Sequence, residues 1–161
     1  MVTGGAGFLG AEVVEELRRR GVTDVVIPRS SRYDLTDAAA TRALFEEARA
    51  DLVIHLAAKV GGIGANRRLP GTFFRDNMAM GLNVFEAGRA LGVEKLVAAC
   101  SVCAYPLHPP HIPFLEDDIW DGYPEASNAP YGLAKKMLIV LSDSYRRQYD
   151  LDSCAPVMAN L

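Results

Sequence analysis

Gly4-Gly5-Ala6-Gly7-Phe8-Leu9-Gly10, followed by Ala11-Glu12-Val13-Val14-Glu15-Glu16-Leu17, decides how this chain is read. Glycines at 4, 7 and 10 give the spacing Gly-x-x-Gly-x-x-Gly. Gly4 permits a tight turn, Gly7 lets a backbone approach a pyrophosphate, and Gly10 lets a helix pack closely on a sheet. The apolar-periodic run that follows predicts a helix whose first N–H groups are free for phosphate. Met1-Val2-Thr3 reads as the tail of a strand. Parallel strands usually run about five or six residues, so the first strand is expected to be largely missing. A glycine loop between a strand and a helix is the setting a dinucleotide needs. The competing reading is a glycine-rich turn and nothing more.

Outward from the loop, Asp24-Val25-Val26-Ile27-Pro28 reads as the second strand. A dinucleotide fold that selects NAD usually ends this strand with an acid for the ribose 2′-hydroxyl. Here Arg29-Ser30-Ser31-Arg32 follows, with two arginines and no acid. Arg29 and Arg32 either hold a 2′-phosphate, which favours NADP(H), or are surface residues of a loop. Asp34-Leu35 is placed to border the adenine. Ala38 to Arg49 forms an amphipathic helix, and Asp51 to Ala58 a third strand buried on both faces. His55 within it reads as a satisfied core histidine. Ala57-Ala58 and the loop Lys59-Val60-Gly61-Gly62-Ile63-Gly64 sit at the strand's C-terminal end, where ligands bind in such sheets.

Thr72 to Leu91 forms a long helix with apolar residues on more than one face, and Asn77 in it is placed to order backbone near a site. Lys95 to Cys100 is a fourth strand, Pro130 to Tyr149 a helix, and Asp152 to Met158 a fifth strand. Residues 107–127, with the only Trp at 120, form a proline-rich acidic loop long enough to close over a ligand. The alternation predicts an α/β fold: a Rossmann-type doubly wound parallel sheet with helices on both faces, in one domain spanning 1–161.

Tyr131 and Lys135 lie four apart on the helix from Pro130 and so share a face. An ammonium beside a phenol lowers its pKa from about 10, which lets it exchange a proton with a carbonyl or alcohol oxygen. Cys100-Ser101-Val102-Cys103 sits at a strand end, not at the helix N-terminus a redox pair needs. One functional thiolate, Cys103, facing the same crevice as Tyr131, fits better. His108 and His111 lack two further ligands at metal spacing, so no metal site is expected.

Seventeen basic residues against twenty acidic ones give a net charge of −3, with no basic cluster for nucleic acid. No apolar run reaches membrane-span length. Three cysteines without a secretory signal point to a reducing compartment, read as the cytoplasm.

The glycine loop, the Ala57-Ala58 strand end, Ser101 and Tyr131-x-x-x-Lys135, in that order, resemble the extended short-chain dehydrogenase/reductase superfamily along the whole chain. Within it, the chain is most similar to the GDP-L-fucose synthases, epimerase–reductases acting on GDP-4-keto-6-deoxymannose. Lys59-Val-Gly-Gly-Ile63 with Ala65-Asn66, Ser101-Val-Cys-Ala-Tyr-Pro106, Asn128-Ala-Pro-Tyr131 and Ser144-Tyr-Arg-Arg-Gln-Tyr149 carry that similarity. It implies that Gly4, Gly5, Ala6, Gly7, Phe8, Leu9 and Gly10 cradle the pyrophosphate of NADP(H). Ser101 and Tyr131 would hold the sugar's C4 oxygen, with Tyr131 as proton donor. Lys135 would hold the nicotinamide ribose, and Cys103 would be the base for epimerisation at C3 and C5. Ala99, Cys100, Ser101 and Val102, with Met158, Ala159, Asn160 and Leu161, would border the cofactor. A homodimer through helices 72–91 and 130–149 follows from the same resemblance.

Val102 stands where the family has a second serine, and Cys100 where it has glycine. The family's acid histidine and most of its GDP-sugar contacts fall beyond the point matching Leu161. The chain is therefore expected to lack a C-terminal substrate domain. An NAD-using nucleotide-sugar epimerase or dehydratase, and a dinucleotide-binding remnant without catalysis, stay open as alternatives.

Overall fold

A computed structural model describes residues 1–159. Four parallel strands form its main sheet in the order β1-β2-β3-β5: Val2–Thr3, Leu52–His55, Lys95–Ala98 and Asp152–Cys154. Val2 pairs with Ile54, Leu96 with Val53 and with Ser153. The first strand is short but fully engaged. Met1 extends it, its ammonium donating to Leu52 O at 2.7 Å and its carbonyl accepting from Ile54 N–H.

Asp24–Pro28 does not form a regular strand. It lies beside β1 and contributes one ladder bond, Val2 N–H to Val26 O at 2.9 Å. A two-residue β1 offers too few partners for more. The expected fourth and fifth strands each break in two. Cys100–Ser101 (β4) and Val157–Met158 (β6) form a separate two-stranded parallel sheet. The break falls at Pro156, which has no N–H for a ladder and offers its carbonyl to Cys100 instead.

Phe8–Arg19 (α1), Ala38–Ala48 (α2), Pro70–Ala90 (α4) and Ala129–Tyr149 (α5) are the expected helices, the last three within two residues and α1 beginning inside the glycine motif, three residues before the run at Ala11. The Asp37 side chain caps α2 by accepting from Ala40 N–H at 2.8 Å. Pro70 opens α4, and Pro130 the first turn of α5, where a missing N–H costs nothing. A short helix, Ile63–Arg68 (α3), replaces the second half of the loop expected at 59–64.

By right-handed crossover, α1 covers one face of the sheet, and α2, α4 and α5 the other. On that second face Leu44, Phe45, Val84, Phe85 and Leu138 close over Val53 and Leu96. The α4–α5 contact is close because Gly81 leaves room for Leu138, and Phe85 meets Tyr145 edge-on at 5.6 Å. A second, smaller cluster of Cys100, Ala104, Tyr105 and Ile119 lies under the end of β4. Among the described residues, no helix is long and apolar enough to cross a membrane.

Candidate functional site

β1 has the Asp24–Pro28 segment on one side and β2 on the other. The chains leaving β1 and β2 therefore diverge, and a crevice opens between them at their C-terminal ends. A cavity of about 810 Å³ fills it. Gly4, Ala6, Gly7, Phe8, Leu9 and Gly10 form one wall, Leu56 to Val60 another, and Pro28 to Ser30 with Tyr33 to Thr36 the far end.

The glycines have distinct reasons. Gly4 sits at φ +75°, and a Cβ there would come within 2.7 Å of Ala57 N. A Cβ on Gly10 would collide with the Gly4 carbonyl oxygen, so the close approach of α1 to the loop needs both residues. Gly5 does not line the cavity and instead packs on Val2 O and the Ile27 side chain. Gly7 starts α1 in extended conformation, and no side chain caps the helix. An uncapped positive helix end facing a cavity of this size fits a diphosphate, and the cradle fits a dinucleotide.

At the far end the two arginines separate. Arg29 lines the cavity. Arg32 does not: its guanidinium is 2.8 Å from Glu47 Oε2 and lies over the Tyr33 ring at 5.0 Å. Asp34 and Leu35 both line the cavity. Two hydrogen bonds from Thr36 hold the Asp34 carboxyl below its usual range.

Ser101, Cys103, Tyr131 and Lys135 gather around the end of β3. After Ala98 the chain passes through β4 into a 3-10 turn at Val102–Ala104, where the Ser101 hydroxyl accepts the Cys103 N–H at 3.2 Å. The first turn of α5 packs on this turn through Gly132, which has no side chain to hold it off the Cys103 carbonyl. Sequence reasoning passed over Gly132; its place directly after Tyr131 was the available signal. Tyr131 is thereby brought to Ser101 and Cys103.

The electrostatics differ from the expectation. Burial raises the Tyr131 phenol, a thiolate at Cys103 raises it further, and the Ser101 hydroxyl opposes both. Lys135 does not lower it here. That ammonium is buried and donates to Ala99 O at 3.0 Å, and its own pKa falls to about 8 through desolvation. Ala99 N–H in turn bonds His55 O. His55 is fully buried against Thr3 Oγ1 at 2.8 Å, and desolvation, then the Lys135 charge, hold it neutral with a pKa of about 3. It is a core histidine.

Ala99, Cys100, Val102, Lys135, Met158 and Ala159 do not line the cavity; Asn160 and Leu161 lie outside the described residues. Met158 pairs with Ser101 across β4 and β6. Asn66 ties the loop after β2 to the start of α5: its amide donates to Gly61 O at 3.4 Å and to Asn128 Oδ1 at 3.0 Å, just ahead of α5.

Most of residues 107–127 are exposed, and the segment is anchored at a few buried points, Asp118, Ile119 and Pro124. Ile119 and Asp118 are buried, and Asp118 receives the Leu115 N–H at 2.9 Å and meets His111 Nδ1 at 2.8 Å. Lys136 lies over the Trp120 ring at 5.1 Å. Burial raises the Cys100 thiol, and all three cysteines are free. Among the described residues, no three His, Cys, Asp or Glu side chains gather where a metal could bind.

A family model described as "NAD dependent epimerase/dehydratase family" matches residues 1–161. GDP-L-fucose synthase from Escherichia coli (strain K12) is 34% identical over 160 residues, covering 99% of this chain and 50% of that protein. The structure of a GDP-L-fucose synthetase from Naegleria fowleri bound to NADP superimposes with TM-score 0.90 at 32% identity, covering 99% of this chain and 52% of that one. UDP-glucose 4-epimerase from Thermus thermophilus, solved with NAD, gives TM-score 0.81 at 31% identity over 96% of this chain and 52% of its own. The chain thus spans about half the length of the proteins it matches.

Proposed function

The chain belongs to the NAD dependent epimerase/dehydratase family, and on that premise we propose that residues 1–161 are the NADP-binding part of a GDP-sugar epimerase–reductase. The proposed reaction is 3,5-epimerisation and 4-reduction of GDP-4-keto-6-deoxy-D-mannose to GDP-L-fucose. The observation that carries this reading is the meeting of Ser101, Cys103 and Tyr131 at one strand end, held there by the Gly132 contact.

When bound, NADPH supplies the hydride for C4. The chain's own residues do the rest. The α1 N-terminus and the Gly4–Gly10 loop hold the diphosphate, and Arg29 meets the 2′-phosphate. Tyr131, kept protonated by burial, donates its proton to the C4 oxygen, which Ser101 also holds. Cys103, once deprotonated, takes a proton from C3 and in turn from C5, whose C–H bonds the 4-keto group acidifies. A proton returned to the opposite face of each carbon by an acid or by water completes each inversion. Lys135 binds the nicotinamide ribose from its place below Ala99.

The test supplies NADPH and the 4-keto sugar to the protein and follows NADPH absorbance, with solvent deuterium uptake as a second readout. Tyr131→Phe is expected to abolish reduction, with about 10²–10⁴-fold lost, and to keep NADPH binding. Cys103→Ser is expected to lose deuterium exchange. Near wild-type reduction by Tyr131→Phe sinks the reading. Because the chain spans half of its relatives, the second reading is a dinucleotide-binding part without turnover. NADPH binding with no turnover in any condition favours it, and firm preference for NAD favours a nucleotide-sugar epimerase or dehydratase.

The proposal extends to a homodimer through α4 and α5, supported by exposed Phe74, Leu82 and Val140 on those helices and checked by sedimentation. It also extends to a cytoplasmic site of action, supported by three free cysteines.

A further inference from the structure

Two asparagines of α4 tie this helix to two separate parts of the cavity lining, a wall and the far end. Asp76 and Met80 line the cavity, so α4 runs along it. On a helix with 3.6 residues per turn, positions 76, 80 and 83 fall within about 60° of one another, and position 77 lies about 60° beyond 80. Asn77 is only 5% exposed. Its Oδ1 accepts Lys59 N–H at 2.9 Å, and its Nδ2 donates to Lys59 O at 2.9 Å and Phe73 O at 2.7 Å. One amide thus satisfies both backbone groups of Lys59, as a neighbouring strand would, just after β2 has run out of partners. One turn and a half along, Asn83 Nδ2 donates to Leu35 O at 2.9 Å, which Thr41 Oγ1 also reaches at 3.2 Å. Lys59 and Leu35 both line the cavity.

We propose that Asn77 and Asn83 are positioning residues for dinucleotide binding, fixing from a single helix, α4, two of the loops that line the cavity, 57–60 and 34–36. The inference rests on the dinucleotide reading given above. Only a side-chain amide presents a donor and an acceptor in the plane that both groups of Lys59 require. Removing it leaves two backbone groups to find water at a cavity wall. Asn83 shares its acceptor with Thr41, so its loss leaves Leu35 O bonded but cuts the tie to α4.

The experiment compares the wild-type chain with Asn77→Ala, Asn83→Ala and Val84→Ala, the last opening a void under the same helix while leaving both asparagines' hydrogen bonds in place. NADPH affinity and residue-level amide hydrogen exchange are measured on each. Asn77→Ala is expected to weaken NADPH roughly tenfold and Asn83→Ala roughly two- to fivefold. Lys59 N–H in Asn77→Ala, and Thr36 and Asp37 N–H in Asn83→Ala, should exchange roughly tenfold faster while the Leu96 and Val97 amides of β3 hold. Val84→Ala should leave NADPH affinity of the folded protein within about twofold. Equal weakening by Val84→Ala, or faster exchange spread evenly over the chain, overturns the proposal, because the asparagines would then only stabilise the helix. If the wild-type chain fails to bind NADPH, the cofactor reading falls by itself. The exchange pattern then decides whether the two loops are held by these amides.

Discussion

The carbonyl oxygen of Cys103 occupies the space that a Cβ on Gly132 would need. Backbone therefore meets backbone where α5 begins, and the residue before the contact is Tyr131. Gly132→Ala is expected to push the first turn of α5 off the Val102–Ala104 turn. The overpacking costs about 1–3 kcal/mol, read as a lower denaturation midpoint at unchanged m-value. Reduction should fall with it while NADPH binding at the glycine loop persists. A variant with full activity would show that the contact does not place Tyr131.

The arginines should behave unequally. Arg29→Ala is expected to weaken NADPH by roughly tenfold or more and NADH hardly at all, since a charge-assisted bond to phosphate is worth about 1.5–3 kcal/mol. Arg32→Ala should alter NADPH affinity by less than about twofold, because its guanidinium is committed to Glu47 on an exposed surface. Titration of both variants with both nucleotides checks this.

Stability should fall with acid earlier than carboxylates alone dictate. Folded His55 stays neutral down to about pH 3, against 6.5 for a free histidine. Between those values the unfolded chain binds the extra proton. Stability therefore declines as pH drops through 6.5, with a slope of up to ~1.4 kcal/mol per pH unit. Urea unfolding between pH 7 and 5 measures the slope, and His55→Gln should flatten it.

Lys135 carries a cost of the same origin with the opposite range. Its pKa near 8, against 10.5 in the open chain, means that the folded state bears an unwelcome ammonium at neutral pH. Lys135→Met is expected to stabilise the chain by about 1–3 kcal/mol at pH 7 while removing reduction. The wild type should close the gap as pH rises from 8 to 10.5. Destabilisation at pH 7 would show that the bond to Ala99 O outweighs the desolvation.

What could be read in the residues was what depends on near neighbours. Gly10 is glycine because of the Gly4 carbonyl six positions before it, and Gly4 holds a positive φ, so their spacing conveys the loop, although the Ala57 backbone that Gly4 also faces is distant in sequence. The helix opening at Pro130 was equally plain, and the long helix before it was read from Thr72, two residues after its start at Pro70. Segment 24–28 was not, because an extended run becomes a strand only with a partner of matching length, and β1 supplies one rung. Arg32 stayed open between a 2′-phosphate and the surface, because Glu47, which pairs with it, lies fifteen residues on. The four-residue spacing of Tyr131 and Lys135 was correct, but spacing does not say that the ammonium turns to Ala99. Helix α3 was hidden by Gly61, Gly62 and Gly64, which read as pliant.

Adjacent lysines on α5 face different ways: Lys135 inward to Ala99, Lys136 over the face of Trp120. Trp120 is the only indole in the chain, and it is about half exposed. Its emission therefore comes from a single fluorophore under a single cation, one peptide bond away from the buried Lys135. Any shift of the α5 backbone on ligand binding should change the colour and yield of that emission without a label. The chain carries its own optical gauge of the first turns of α5.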